Sequence, residues 1–195
     1  MAIASRIPPR ITSRDPSRGV TLIELILVMA VMATLVTLAL PMVAGSSGRR
    51  ALEAVATELA TDLRYVRSEA VARNVGIRVG FESSPGRSCY VIHTGPAGGC
   101  SCLQGTTAVC SGDAREIKTV QIPPDRPVQM QSKAPSMLFD PRRGTTSPAG
   151  SITLVGPNGV SITHVVNLMG RVRSCALVES AAGKPPGTLP GYRAC

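Results

Sequence analysis

The chain has 195 residues, enough for one domain of ordinary size or for one domain with an anchor. It has no Trp, two Phe and three Tyr, which excludes an aromatic core and leaves Val, Ile, Leu, Met and Ala to build one. The formal net charge of +9 indicates an acidic partner, either nucleic acid or an anionic membrane surface.

The first 19 residues are basic and rich in prolines. Four arginines outnumber the single acid, Asp15, and a Pro-Pro pair interrupts any regular structure. The stretch has no amphipathic pattern, so we do not expect it to pack in a core. We therefore predict that this stretch has a targeting role.

Residues 20–44 are apolar with few interruptions. About twenty apolar residues suffice to cross a bilayer as a helix, and the basic flank predicts a cytoplasmic N-terminus. One alternative is a cleaved secretory signal, because residues 41–47 resemble a signal-peptidase site. A second alternative is a plain signal anchor that is not cut. Neither accounts for Glu24, since a carboxylate in a membrane helix costs roughly 2.5–3.5 kcal/mol on insertion scales.

The string RGVTLIEL, residues 18–25, resembles the class III signal of type IV pilins and pseudopilins. The resemblance implies that residues 1–19 are a leader peptide, which prepilin peptidase removes by a cut after Gly19. It also implies that Val20, where the family usually has Phe, is then N-methylated. Glu24 is the fifth mature residue, the position of the family's characteristic acid, and Pro41 also stands at a family position. The resemblance implies that Glu24 pairs with the N-terminal amine of a neighbouring subunit. Such a pair is strong in a low dielectric and costly when one member is missing.

A second helical pattern covers residues 45–75. Its apolar residues recur at steps of three and four, the spacing of one helix face. They are Leu52, Val55, Ala56, Leu59, Leu63, Val66 and Ala70. Asn74-Val75-Gly76 is a stop signal. We predict a helix that runs nearly unbroken from Val20 to Arg73 and whose second half supports a sheet.

Strand and turn patterns occupy the remainder, residues 76–195. One predicted hairpin pairs residues 76–81 with 88–93, and a second pairs 151–155 with 160–167 through a Gly-Pro-Asn-Gly turn. Weaker strands are predicted at 116–122 and 127–132, a last strand at 170–178, and an irregular tail after it. We therefore predict an α+β fold in which a long N-terminal helix packs on an antiparallel β-sheet head.

Two stretches of this region, MLFDPRRG and NLMGRVRSC, resemble the FimT/GspH family within the pilin-like group. That family typically has a nearby Phe and Gly, here Phe139 and Gly144, then a hairpin and a closing Gly-Arg-x-Arg stretch. The resemblance covers most of the chain, although the cysteine-rich insert between Cys89 and Cys110 is less typical.

The Gly-Arg-Val-Arg stretch is the sharpest candidate site outside the N-terminus. On a strand, Arg171 and Arg173 point to the same face, about 7 Å apart, close to the phosphate spacing of a nucleic acid strand. Gly170 permits a sharp turn or the close approach of another backbone. In FimT-type members of the family this motif is linked to DNA binding during natural transformation, and in GspH-type members it is not. The resemblance therefore implies DNA binding only if this chain is of the FimT type. The alternative is that the arginines protect a strand edge from pairing.

Three further arginines, Arg142, Arg143 and Arg193, extend a basic patch only if the fold brings them near. The histidines, His93 and His164, are isolated in the sequence. We expect them on strands rather than at a metal.

Six cysteines lie in the second half of the chain: Cys89, Cys100, Cys102, Cys110, Cys175 and Cys195. An even number after a membrane segment indicates an oxidising compartment and up to three disulfides. Cys175 and Cys195 are placed to join the tail to the last strand. The other four allow three connectivities, in which we expect Cys100 and Cys102 to take different partners. Their spacing does not suit zinc, so we expect no metal and no cofactor.

Enzyme signatures are missing from the sequence, with neither a Walker loop nor a nucleophile elbow. We expect a non-enzyme that is itself a substrate of prepilin peptidase. The expected function is that of a minor pilin or pseudopilin, anchored once in the inner membrane with a periplasmic head, that assembles with other pilins into a type IV pilus or a type II secretion pseudopilus. Two alternatives remain: a DNA-binding minor pilin for natural transformation, and a membrane-anchored periplasmic domain that never assembles.

Overall fold

A computed structural model describes residues 19–126, 128–178 and 189–195, without the side chains of residues 38–46, 158 and 178. The chain divides into two compact units, one ending at Met42 and one beginning at Val43, and each is described separately. The predicted leader lies outside the described residues, apart from Gly19, which is exposed.

Helix α1 spans Leu22–Arg73 and therefore begins in the first unit. Thr21 starts it, because its carbonyl accepts a hydrogen bond from the Leu25 N–H and its Oγ1 lies 3.4 Å from the Glu24 N. Across the described residues, no helix is both long and apolar enough to cross a membrane. The predicted span, residues 20–44, includes 38–44, whose side chains lie outside the described set.

The second half of α1 is amphipathic, as the spacing predicts. All seven apolar residues of the predicted face are buried. The helix ends at the predicted stop signal, where Asn74 takes a φ of 53° and the Val75 N–H donates to the Ala70 carbonyl. Asn tolerates this left-handed conformation better than most residues, so the sequence itself terminates the helix.

Twelve strands follow α1 within the described residues. They are β1 (Ile77–Ser84), β2 (Arg87–Thr94), β3 (Cys100–Ser101), β4 (Val109–Cys110), β5 (Arg115–Ile122), β6 (Gln129–Ser132), β7 (Ser136–Phe139), β8 (Thr146–Ser147), β9 (Gly150–Val155), β10 (Val160–Val166), β11 (Val172–Val178) and β12 (Arg193–Ala194). A short 3-10 helix, Pro157–Gly159, forms the predicted turn between β9 and β10. Both predicted hairpins, β1–β2 and β9–β10, are antiparallel pairs.

The strands form two five-stranded sheets and one small hairpin, not a single antiparallel sheet. The first sheet has the order β5-β2-β1-β7-β8, the second has the order β12-β11-β10-β9-β6, and β3 pairs with β4. Every pair in the two large sheets is antiparallel except β11–β12, which is parallel. Local sequence patterns do not reveal that β6 joins β9, because that pairing connects distant segments.

One hydrophobic core joins the apolar face of α1 to residues of both sheets. Leu59 and Leu63 of the helix are fully buried, as are Ile92 of the first sheet and Ile162 of the second. The fold class is therefore α+β, as predicted, with the second half of the helix packed on the sheets.

A polar cluster crosses the contact between α1 and the first sheet. The Tyr90 hydroxyl donates to Asp62 Oδ2 at 2.6 Å, and Lys118 Nζ lies 2.7 Å from the same oxygen and 3.2 Å from Glu58 Oε1. Burial, followed by the hydrogen bond to Asp62, raises the pKa of Tyr90 well above its usual value. Burial lowers the pKa of Lys118, but its bonds to Asp62 and Glu58 outweigh burial and raise the pKa overall.

Three disulfides close the head: Cys89–Cys102, Cys100–Cys110 and Cys175–Cys195. Cys100 and Cys102 take different partners, in agreement with the prediction. The tail was predicted to be irregular, but Arg193–Ala194 form β12 beside Cys175–Ala176. The disulfide explains the difference, because it brings the end of the chain to the edge of β11. Residues 179–188 lie outside the described set.

Candidate functional site

A tight turn at residues 140–144 presents two arginines to solvent. Asp140 Oδ1 accepts hydrogen bonds from the backbone N–H groups of Arg142 at 2.9 Å and Arg143 at 3.0 Å. The Gly144 N–H donates to the Asp140 carbonyl at 2.9 Å. An Asp at the first position of such a turn fixes the backbone locally, so the sequence DPRRG determines where both arginines stand.

A second tight turn joins β10 to β11. The Gly170 N–H donates to the Asn167 carbonyl at 2.8 Å, and the Arg171 N–H donates to Asn167 Oδ1 at 2.9 Å. The Asn167 N–H donates in return to the Arg171 carbonyl at 3.1 Å. Leu168 and Met169 form the exposed tip of this turn.

Arg67 of α1 joins the two turns. Its Nε donates to the Gly144 carbonyl at 3.1 Å. A Cβ at Gly170 would lie 2.5 Å from the Gly144 carbonyl oxygen and 3.0 Å from Arg67 Cδ. Gly170 therefore permits both the turn, with a φ of 67°, and the close approach of a second backbone.

Helix α1 and the two turns line an open groove of about 850 Å³. Helix residues 64, 67, 68, 71 and 72 form one wall because they lie on one face of α1. Six arginines line the groove: Arg64, Arg67, Arg142, Arg143, Arg171 and Arg173. Among the described residues that line it there is no Asp or Glu, so the groove is a concentrated positive surface.

The structure brings most of the sequence candidates together. Gly170, Arg171 and Arg173 all line the groove, and Arg142 and Arg143 join them. Arg193 is not among the lining residues; it lies on β12 opposite Cys175.

Two groove residues, Arg64 and Arg67, were not among the candidate residues of the sequence analysis. Their spacing of three residues places them on one side, which was a usable signal. The sequence did not show that this side faces the two turns. In the separate N-terminal unit, Val20 and Glu24 are exposed.

His164 lies on β10 and is buried, with its Nδ1 2.8 Å from Ser174 Oγ. Burial lowers the pKa of His164 to about 4, and the positive charge of Arg64 acts in the same direction. The imidazole is therefore neutral near pH 7 and adds no charge to the groove. His93 also lies on a strand, as expected for both histidines, and it is buried.

Glu82 anchors the cysteine-rich insert. Its Oε2 accepts hydrogen bonds from Ser101 Oγ and the Cys102 N–H, both at 2.9 Å, and from the Leu103 N–H at 3.2 Å. The Glu82 carboxylate also lies within 4.8 Å of the sulfurs of Cys89 and Cys102. Those two sulfurs are bonded to each other, so neither is a thiolate available to a metal.

Comparison with known proteins gives two family matches. Residues 55–170 match the family described as Type II transport protein GspH. Residues 14–40 match the Prokaryotic N-terminal methylation motif. The first match covers more than half of the chain, and the second includes the string from which the pilin resemblance was drawn.

A curated relative is the pilin-like protein PilA1 of Thermus thermophilus, which is 30% identical over 166 residues, covering 80% of this chain and 97% of that protein. Two crystal structures of the type IV minor pilin FimU of Pseudomonas aeruginosa, in different space groups, are 19% and 18% identical to this chain. They match 70% of this chain and 94% and 98% of theirs, with TM-scores of 0.43 and 0.42.

The family match, the methylation motif and the curated relative all agree with the resemblance drawn from the sequence. Members of this family are structural components of pilin-like assemblies rather than enzymes, which agrees with the expectation of a non-enzyme. The chain belongs to the GspH family of type IV pilin-like proteins.

Proposed function

We propose that this chain is a minor pilin or pseudopilin that prepilin peptidase cuts after Gly19 and that joins a type IV pilus or a type II secretion pseudopilus. The observation that carries the proposal is the surface of the first unit, where twelve large apolar side chains between Val20 and Val36 are 53–77% exposed. A continuous apolar surface of this kind marks a protein or membrane interaction site. The bilayer covers it before assembly, and the helices of other subunits cover it in the filament.

Glu24 fixes the axial register of this apolar stretch relative to neighbouring subunits in a filament. It lies in the first turn of α1, at the positive end of the helix dipole. In a filament, the free amine of a neighbouring Val20 neutralises it. In the absence of that amine the carboxylate stands alone among apolar side chains, so only one register is favourable.

The three disulfides support a head in the oxidising periplasm, with the anchor in the inner membrane. This placement also explains why the cysteines all lie on one side of the apolar stretch. The alternative of a membrane-anchored domain that never assembles predicts the same location for the head and the anchor. It does not account for the methylation motif.

A measurement of N-terminal processing distinguishes an assembling pilin from an anchored domain that never assembles. The mass of the chain from cells with and without prepilin peptidase shows whether residues 1–19 are removed and whether Val20 carries one methyl group. We expect both, and we expect Gly19→Val to block both. A chain that is cut near residue 44, or not cut at all, would contradict the proposal.

A second candidate function, DNA binding at the groove, is favoured by the six arginines that line it without an acid. Each arginine that contacts a phosphate releases a counterion, and this release drives association with nucleic acid. The alternative role, protection of a strand edge by Arg171 and Arg173, does not account for Arg142 and Arg143, which stand on a turn.

Titration of a labelled duplex with the full chain in non-ionic detergent, at several salt concentrations, tests this function. We expect affinity to fall steeply with salt and the Arg171→Ala/Arg173→Ala variant to lose most of it. The slope of log K against log salt should shrink by roughly 0.9 for each phosphate contact removed. Arg193→Ala is the matched control, because it removes one arginine outside the groove. No binding by the unmodified chain at low salt would overturn the DNA function and leave the assembly function intact.

A further inference from the structure

We propose that Leu168 and Met169 form an apolar wedge that enters a base step of duplex DNA held in the arginine groove. This inference rests on the DNA-binding function proposed above and adds the residues that deform the duplex. It concerns the tip of the turn that precedes Arg171.

The exposure of these two side chains is unusual for their position. Turns are normally built from Gly, Pro, Asn, Asp and Ser, yet this turn places Leu and Met at its tip. Leu168 is 64% exposed and Met169 is 58% exposed. These two side chains contribute no burial to the head while they are exposed, so a partner that covers them would gain that burial.

The turn holds both side chains on a rigid support. The hydrogen bonds of Asn167 close the turn on both of its sides. The Leu168 carbonyl also accepts a hydrogen bond from the Thr146 N–H at 2.9 Å, which ties the tip to β8. A partner therefore meets a preformed projection and no loop has to become ordered, which lowers the cost of binding.

Positive charge surrounds the base of the wedge. Arg171 follows the turn directly, and Gly170 packs against Gly144, next to Arg142 and Arg143. Proteins that kink DNA insert Leu, Met and similar side chains between base steps while cations hold the flanking phosphates. A duplex offers this arrangement, because its phosphates run along both sides of a central stack of bases.

Other partners fit the combination less well. A protein partner would need a dense acidic surface to match six arginines, and a flat bilayer would not enter a concave groove. Leu168 and Met169 stand beside the arginine groove rather than in its wall; together with Val165 and Pro148 they line a second, shallow cavity of about 940 Å³. A neighbouring pilin subunit is therefore the competing occupant of the tip, and the experiment is designed to separate it from DNA.

The test compares DNA bending by the full chain in detergent with that of the Leu168→Ser/Met169→Ser variant. The probes are a duplex labelled at both ends for energy transfer and a duplex with 2-aminopurine at successive positions. The unmodified chain should shorten the end-to-end distance and unstack a base step. The variant should bind about tenfold more weakly, with an unchanged salt slope and no bend, because it keeps every phosphate contact.

Two further variants keep the result interpretable. Leu168→Met/Met169→Leu keeps apolar bulk at the tip and should bend DNA like the unmodified chain. Val165→Ser changes a neighbouring exposed apolar residue on β10 and should leave both binding and bending unchanged. Matching thermal unfolding curves for all variants exclude misfolding as the cause of a loss.

Each outcome decides between the proposals. Unchanged bending by the serine variant overturns the wedge but not DNA binding, provided the Arg171→Ala/Arg173→Ala variant loses most of its affinity for DNA. Unchanged DNA binding together with a loss of filament incorporation assigns the tip to a neighbouring subunit and also overturns the wedge. No binding of either duplex by the unmodified chain at low salt overturns both the wedge and the DNA function.

Discussion

Two stretches of helix α1 contain the same kinds of residue and meet opposite environments. Between Leu22 and Val36, the large apolar side chains are all more than half exposed. Between Leu52 and Ala70, the seven apolar side chains of one face are all buried. The first stretch is apolar around the whole helix, and the second is apolar on one face only.

This difference separates two sources of stability within one helix. The second stretch is stabilised by burial against the sheets of its own chain. The first stretch exposes its apolar surface in the chain described here, so its burial depends on other molecules. Substitutions in the two stretches should therefore have separable effects, on assembly in the first and on folding in the second.

The largest expected effect is the loss of filament incorporation in Glu24→Ala. The helix remains apolar and is still processed, but the N-terminal amine of the neighbouring subunit has no carboxylate to pair with. Cleavage is followed by mass spectrometry, and incorporation is followed by recovery of the chain in sheared filaments.

Glu53→Ala is the matched control in the second stretch. Glu53 forms an exposed i,i+4 pair with Arg49 at 2.8 Å, which is worth about 0.3–0.5 kcal/mol, so its loss should leave incorporation intact. Incorporation of the Glu24 variant at the level of the unmodified chain would refute the pairing role.

A second prediction compares Leu59→Ala with Leu27→Ala. Leu59 is fully buried, so its truncation should lower the free energy of unfolding of the head by about 2–5 kcal/mol. Leu27 is 60% exposed, so the same change should leave that free energy within about 0.5 kcal/mol. Urea unfolding of the full chain in detergent, followed by tyrosine fluorescence, measures both. A large loss in the Leu27 variant would show that the first stretch supports the head.

A third prediction concerns the pH dependence of head stability through His164. Its pKa is about 4 in the folded head and 6.5 when unperturbed, so below pH 6.5 the unfolded chain binds a proton that the folded head does not. The contribution of neutral His164 to the free energy of unfolding is therefore fully present above about pH 6.5. It is lost as the pH falls toward 4, by about 3 kcal/mol in total.

His164→Asn removes this titration and keeps a polar group beside Ser174. Its unfolding free energy should fall less steeply between pH 7 and pH 4.5 than that of the unmodified chain, while carboxylates contribute equally to both. Equal slopes would show that His164 does not titrate on unfolding.

Local patterns were reliable where each element is determined by its own residues. The buried face of α1 followed from spacing alone, and its end followed from Asn74. Both hairpins followed from alternation and turn residues. By contrast β3, β4, β7, β8 and β12 were missed, because each is only two to four residues long. In addition, β7 and β12 are stabilised by a strand or a disulfide far away in the sequence.

The candidate site shows the same limit. The motif Gly-Arg-Val-Arg identified Gly170, Arg171 and Arg173, whereas Arg142 and Arg143 were named only as arginines that the fold could bring near. Arg64 and Arg67 were not recognised, since a charged residue on a helix normally faces water. The number of arginines in the groove could therefore not be counted from the sequence.

The sequence alone determined the family, the N-terminal methylation motif, the apolar stretch and the buried face of α1, because each depends on residues close together in the chain. Only the tertiary structure decided that two turns and one helix face meet in a single groove, and that an apolar tip stands beside it. That meeting depends on the contact of Gly170 with Gly144 and Arg67. Contacts across such separations are selected by the packing of the whole head, and no local pattern records them.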